Sequence, residues 1–286
     1  MKIAIIVNTS KNAAITCAQS IAEQMRQNNA QVLTLSDYGT IFGEGKAVYL
    51  PDFKTLFSEC DMAITVGGDG TIIHSAKYAA TADKPLIGVN VGRLGFAAEV
   101  EPDNIADLSR LLSGDYTLKN RMLLDVSVTH KDGSKEDYLT INDAAIARGQ
   151  LSHIIDISVS LDSSPISTYR ADGILFSTPT GSTAYSLSAG GPVIYPEMEC
   201  ILLTPICPHS LVSRPVIFDS NASLAATVKL IDNTPAILSV DGEKNIEIDS
   251  EDLITIKKSP KVLKLMSLYD RNFYRHLGEK IKERKS

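Results

Sequence analysis

The sequence predicts an α/β N-terminal domain followed by an all-β C-terminal domain, with the boundary near residue 120. Up to residue 112, apolar runs of strand length alternate with segments whose apolar residues recur at helical spacing. Beyond residue 116 that spacing disappears, and short strand-like segments follow one another, parted by turn residues. A third sign is the narrow apolar stripe Phe273, Leu277 and Ile281, which reads as a helix over residues 267–286 with a basic end. The expected domains are therefore residues 1–120 and 121–266.

Residues 2–7 form the first expected strand, and Asn8-Thr9-Ser10 offers caps for a helix over 11–28, where Ile15, Ala18, Ile21, Ala22 and Met25 share a face. Residues 31–36 read as a strand, 37–50 as a glycine-rich loop and 51–60 as a short helix. The apolar run Met62-Ala63-Ile64-Thr65-Val66 is a buried strand leading to a helix over 71–80, and residues 85–90 are the next strand. Pro102 opens a helix over 102–112 that Gly114 stops. Such alternation gives a parallel sheet with helices on both faces, and ligands of such sheets sit at the carboxyl ends of the strands. In the second half, 123–130 and 138–147 pair as a hairpin across Lys131-Asp132-Gly133-Ser134. Further strands are expected at 153–161, 174–177, 201–204, 216–218, 224–230, 237–240 and 253–257.

A chain of 286 residues has ample material for a buried core, and 44% hydrophobic with 22% charged residues is ordinary for a soluble protein. The balance of 28 basic against 34 acidic residues, net −6, disfavours a nucleic-acid surface or a polybasic membrane anchor. No apolar run reaches membrane-spanning length, and Met1–Val7 lacks the layout of a signal peptide. Cys17, Cys60, Cys200 and Cys207 are scattered without metal or redox spacing. Reduced cysteines in a cytoplasmic protein are the simplest expectation.

The chemistry concentrates at Gly67-Gly68-Asp69-Gly70-Thr71, between a buried strand and a helix. Glycines there permit positive φ and close approach of backbone to a ligand, while the helix's first amides make a phosphate seat. A carboxylate should repel phosphate, so Asp69 points to a group that orients and deprotonates an attacking hydroxyl, the logic of a kinase. The plainer reading makes Asp69 a helix cap. The Walker pattern is absent, since Gly43-Glu44-Gly45-Lys46 is followed by Ala47, and no G-x-G-x-x-G follows the first strand. A second polar stretch, Tyr169 to Gly173 and then Ser177 to Ser188, is rich in hydroxyls and small residues. It reads either as a polar-ligand site with Tyr185 against a flat ring or as a Ser/Thr-rich surface loop.

Taken with Gly92-Arg93-Leu94-Gly95-Phe96, Ile141-Asn142-Asp143, Ala171-Asp172-Gly173, Thr178 to Tyr185, Thr204 to Leu211 and Asp241-Gly242, these motifs resemble the NAD kinase family. They stand in the family's order over most of the chain. The resemblance implies a Rossmann-like α/β domain, a β-rich NAD-binding domain and a terminal helix that packs back on the first domain. It implies phosphorylation by ATP, with Mg²⁺ or another divalent cation, of the 2′-hydroxyl on the adenosine ribose of NAD. No dedicated metal ligands are expected, the cation being held mainly by the phosphates. Asp69 corresponds to the family's proton acceptor, within a seat made by Gly67, Gly68, Gly70 and Thr71.

Asn142 and Asp143 match the pair that holds the adenosine and its ribose, with Asp at 143 where Glu is common. Thr183 and Ala184 match residues at the adenine, completed by Tyr185 and Ser188, while Thr180, Ser186 and Leu187 belong to the same stretch and Phe96 to the Gly92 motif. Asp172 matches an acid that reaches NAD across a subunit contact, which implies a homodimer or homotetramer. His74, His153 and Arg170 stand where relatives place ligand contacts, and each reads equally as a surface or capping residue. Two alternatives carry their own signatures. A lipid kinase shares the Gly-Gly-Asp-Gly turn but has no reason for the 178–185 stretch, and a non-catalytic NAD(P) sensor would be expected to have lost Asp69 or its glycines.

Overall fold

The first strand, β1 (Lys2–Val7), is apolar at every position from Ile3 to Val7 and buried over that length, so it lies inside a sheet covered on both faces. The computed structural model describes residues 1–92, 98–149, 154–230, 235–270, 273–275 and 277–278. Two units are distinguished, Met1–Asn120 together with the chain from Leu263 onward, and Arg121–Val262.

In the first unit β1 is followed by α1 (Asn12–Gln27), β2 (Gln31–Leu35), β3 (Val48–Leu50), α2 (Phe53–Glu59), β4 (Met62–Gly67), α3 (Asp69–Thr81) and β5 (Leu86–Asn90). The strands run parallel in the order β5-β4-β1-β2-β3. Helix α1 turns Ala14, Ala18, Ile21, Ala22 and Met25 onto Ile3, Ile5, Ile64 and Val66 of the sheet. Two expectations need correction. Residues 37–50 are not all loop, since β3 closes the sheet edge; it is short and partly exposed, so it leaves no apolar pattern to read. Residues Pro102–Ser113 wind as a 3₁₀ helix rather than an α-helix, broken at Asn104 and ended by Gly114 at φ 74°. The winding puts Ile105, Leu108 and Leu111, three residues apart, on one side of the turn and against the core.

The second unit holds β6 (Thr117–Thr129), β7 (Lys135–Thr140), β8 (Asp143–Arg148), β9 (Ile155–Leu161), β10 (Ser164–Ala171), β11 (Gly173–Ser177), α4 (Tyr185–Ser188), β12 (Cys200–Ile206), β13 (Val216–Asp219), β14 (Leu224–Lys229), β15 (Ala236–Val240), β16 (Lys244–Ile248) and β17 (Leu253–Ser267). Strand β6 enters from the first unit, and the end of β17 returns to it, where Leu265 pairs in parallel with Leu86 of β5. One antiparallel ladder runs β10-β9-β14-β17, and the other β13-β12-β11-β8-β15-β16. Alternate residues from both meet in one core: Ile157, Val159, Leu224 and Ile254 from the first, Ile146, Phe176, Leu203 and Leu238 from the second.

The expected single strand over 138–147 is in fact two. Strand β7 pairs with β6, whereas β8 lies between β11 and β15 in the other ladder, so the chain changes sheets at 141–142. Strands β10 and β16 escaped the sequence reading because both are largely exposed, β10 at a sheet edge with only its last turn of residues alternating. Residues 273–275 and 277–278 are helical, with Phe273 and Leu277 half-buried and Tyr274 and Arg275 exposed, while Ile281 lies outside the described residues. Among the described residues no helix is long and apolar enough to cross a membrane. Burial pushes the thiols of Cys17, Cys60 and Cys200 up, Cys60 to about 11, so none of these three is an activated nucleophile.

Candidate functional site

The strand-to-helix turn is built for close approach. Strand β4 ends at Gly67, where a Cβ would lie 2.3 Å from Thr71 Oγ1 and 3.0 Å from Asn8 Cβ. None of Gly67, Gly68 and Gly70 adopts a positive φ, so crowding and clearance, not left-handed backbone, are what these glycines serve. A Cβ on Gly68 or Gly70 would meet open space, which leaves the front of the turn clear for a ligand. Gly68 is the N-cap of α3 and no side chain caps it; Asp69 is the first helical residue, half-buried, and the reading of Asp69 as a cap is set aside. A carboxylate at that position also sits at the positive end of the helix dipole.

Gly68, Gly70, Thr71 and His74 line a cleft of about 550 Å³ with Asn8 and Lys11, the residues that follow β1. The cleft lies at the carboxyl ends of β1 and β4, where the topology places ligands. Asn8 and Lys11 were missed in the sequence, although the end of the first strand was a place to look once the sheet was known to be parallel. His74 packs edge-on against Phe53 at 4.9 Å, and Phe53 stacks on Tyr78 at the same distance, so the imidazole is held by a ring cluster at the cleft wall. Phe96 and His153 lie outside the described residues.

In the second unit Asn142 and Asp143 stand where the chain changes sheets, and a single carboxylate organises that corner. Asp241 Oδ1 accepts hydrogen bonds from the Thr140 hydroxyl and from the amides of Asn142 at 2.8 Å and Asp143 at 3.2 Å, while Oδ2 accepts from the Ile141 amide at 3.1 Å. From the other side the Thr178 amide donates to the Asn142 carbonyl at 2.9 Å, and its hydroxyl to the Ile141 carbonyl at 2.5 Å.

Burial, then the neighbouring Asp241 carboxylate, pushes Asp143 up to about 7. Burial raises Asp241 as well, and its four hydrogen-bond donors oppose that rise. The folded-state value of Asp143 lies above its ordinary 3.8, so the stability it contributes is full below about 3.8 and lost as pH rises through about 7. Asp143→Asn, which cannot ionise, is expected to melt above the wild type at pH 8 and to lose that advantage as pH falls toward 4. Calorimetric scans across that range check it, and a constant difference would contradict the assignment.

The Ser/Thr-rich stretch is no surface loop: Ser177, Thr178, Ser182, Thr183 and Ser186 are all buried. Ser182 Oγ donates to the Pro179 carbonyl at 2.6 Å and accepts from the Ile194 amide at 3.0 Å, and Ser186 Oγ meets Thr204 Oγ1 at 2.9 Å. Thr183 donates to the Thr180 carbonyl at 3.2 Å, while Thr180 Oγ1 is buried with no hydrogen-bond partner. These bonds fix a short 3₁₀ turn, Gly181–Thr183, and then α4, which leaves Ala184 and Leu187 half-buried and Tyr185 and Ser188 exposed. Asp172 sits at another change of sheet, between β10 and β11, with its carboxylate 3.2 Å from Arg148 Nη2. Arg170 is exposed on β10, and its carbonyl accepts from the His209 amide at 2.9 Å. Within the first unit Gly68, Gly70, Thr71 and His74 thus line one cleft, with Asp69 between the two glycines, and within the second Asn142 lies against Thr178 and Gly181, in the segment that also carries Thr180 and Thr183.

Two family models match the chain: the ATP-NAD kinase N-terminal domain over residues 3–116 and the ATP-NAD kinase C-terminal domain over residues 141–268. An NAD kinase of Thermoanaerobacter sp. (strain X514) is 33% identical over 284 residues, covering 99% of each chain. Among solved structures, yeast NADH kinase complexed with NADH superposes with a TM-score of 0.91 at 23% identity, over 100% of this chain and 89% of that one. An NAD kinase from Archaeoglobus fulgidus in complex with ATP gives a TM-score of 0.75 at 24% identity, over 99% of both chains.

Proposed function

The chain belongs to the NAD kinase family, and we propose that it transfers the γ-phosphate of ATP to the 2′-hydroxyl of the adenosine ribose of NAD, giving NADP. The observation that carries this reading is the placement of Asp69 at the first position of α3, between Gly68 and Gly70, which line the cleft at the carboxyl ends of β1 and β4. Phosphoryl transfer passes through a loose transition state, so alignment and charge neutralisation matter more than base strength. In this reading Asp69 accepts the hydrogen bond of the ribose hydroxyl, points its oxygen in line and takes the proton as the P–O bond forms. Asn142 and Asp143 hold the ribose and adenosine, and Thr183, Ala184, Tyr185 and Ser188 the adenine.

Among the described residues no three His, Cys, Asp or Glu side chains gather as a metal site. A divalent cation, Mg²⁺ first, would sit on the donor's phosphates and neutralise their charge. The test is NADP formation from NAD, ATP and Mg²⁺, read through an NADP-specific dehydrogenase. No product with NAD still bound would support a sensor, and no product without NAD binding would direct the search to lipid alcohols. A cytoplasmic homodimer or homotetramer completes the proposal, with Asp172 reaching NAD in a neighbouring subunit. Asp172→Ala is expected to raise KM for NAD by about tenfold, the loss of one charged hydrogen bond. Unchanged KM in a protein that still elutes as an oligomer would refute the shared site.

A further inference from the structure

We propose that Asp241 is a positioning residue for the dinucleotide, acting through Asn142 and Asp143 by gathering the Thr140 hydroxyl and three consecutive backbone amides onto one carboxylate. The ligand in this statement rests on the NAD kinase reading; the geometry does not.

Consecutive amides of an extended strand point to opposite sides, so one acceptor cannot take three in a row. At 141–143 it does, which means the backbone is bent around Asp241, and the bend is what parts β7 from β8. Successive amides converging in this way form a nest that seats an anion, here one supplied by the chain itself. The clamp closes in both directions, because the Asp241 amide donates to the Asp143 carbonyl at 2.9 Å. To reach that position Asp241 takes a left-handed conformation, φ 51°, uncommon for a residue with a side chain.

The corner's far side is fixed by Thr178 and by Gly181, whose Cβ would fall 2.0 Å from the Asn142 carbonyl oxygen. With the backbone held on two sides, the directions of the Asn142 and Asp143 side chains are set before any ligand arrives, which lowers the ordering cost of binding. An amide at 241 would retain one acceptor oxygen and turn an N–H₂ toward at least one backbone N–H, so the isosteric variant breaks the nest without changing its volume.

The experiment measures KM for NAD and for ATP, kcat and melting temperature in the wild type and in Asp241→Asn. KM for NAD is expected to rise by about tenfold, as for loss of a charge-assisted hydrogen bond at the ligand's anchor, with KM for ATP within about twofold. In a background that already carries Asn142→Ala and Asp143→Ala, Asp241→Asn should add little further to KM for NAD, because a residue that acts through others is silent once they are gone. A purely structural role would lower the melting temperature and move both KM values together, and that result, or an unchanged KM for NAD, overturns the proposal. Should Asp241→Asn fail to fold, Thr140→Val removes a single donor; a rise of roughly threefold in KM for NAD alone is expected, and no rise refutes it. A wild type that makes no NADP overturns the NAD kinase reading and the ligand named here. Faster amide exchange at 141–143 in the variant would then still report the nest itself.

Discussion

Asp69→Asn is expected to lower turnover by about 10²- to 10⁴-fold, the usual contribution of a positioned general base, while affinity for NAD changes little. Asn matches Asp in shape and can still accept a hydrogen bond, so the alignment of a bound hydroxyl survives. It cannot take the proton, and the step then needs water or the phosphate itself as acceptor. Folding should tolerate the change: Asp69 is half-buried at the start of α3, and the lost interaction with the helix dipole costs about 0.3–1 kcal/mol. Steady-state kinetics beside calorimetric titration with NAD separate the two effects. Wild-type turnover in the variant would remove Asp69 from the chemistry, and loss of NAD binding in step with turnover would make it a binding residue instead.

How much of this was legible in the sequence depended on whether neighbours in the chain are also neighbours in space. Strand β4 and the helix after it were plain, since Met62 to Val66 is apolar but for Thr65 and buried throughout. Of the two roles expected for the motif's glycines, close approach holds and positive φ does not; both leave the same letter in the sequence, and only the position of Asn8 and Thr71 around Gly67 decides between them. The hydroxyl-rich stretch looked balanced between a site and a loop; its burial depends on Ile194 and Thr204, which no local pattern announces. Asp241 stood out in the sequence only as part of the Asp241-Gly242 motif of the resemblance, yet its carboxylate bonds residues about a hundred positions earlier. The 3₁₀ winding after Pro102 was not legible, since Ile105, Leu108 and Leu111 keep the spacing of a 3₁₀ helix while Ile105, Leu108 and Leu112 keep that of an α-helix, and all of them meet the core.

The same dependence on distant backbone makes Gly181→Ala the most damaging small substitution expected in the second unit. A Cβ at 181 would lie 2.0 Å from the Asn142 carbonyl oxygen, 2.5 Å from its carbonyl carbon and 2.8 Å from its Cα. All three are main-chain atoms, and none has a rotamer to turn away. Nor can the segment retreat, since Asp241 holds the amides of 141–143 and Thr178 holds the carbonyls of Ile141 and Asn142. One methyl group must therefore pry two fixed loops apart, at the upper end of the ~1–3 kcal/mol seen for overpacked cores. The melting temperature should fall by roughly 6–12 °C, and KM for NAD should rise because the opened corner no longer aims Asn142 and Asp143. Gly68→Ala is the control, with φ of −112° and open space around the added carbon, and it should leave the melting temperature where it was. If both variants melt like the wild type, the corner has the freedom to yield and the fixed aim of Asn142 and Asp143 is lost as an explanation of binding. If Gly181→Ala alone falls and takes NAD affinity with it, the bend at 141–143 is the element that couples the fold of the second unit to its ligand.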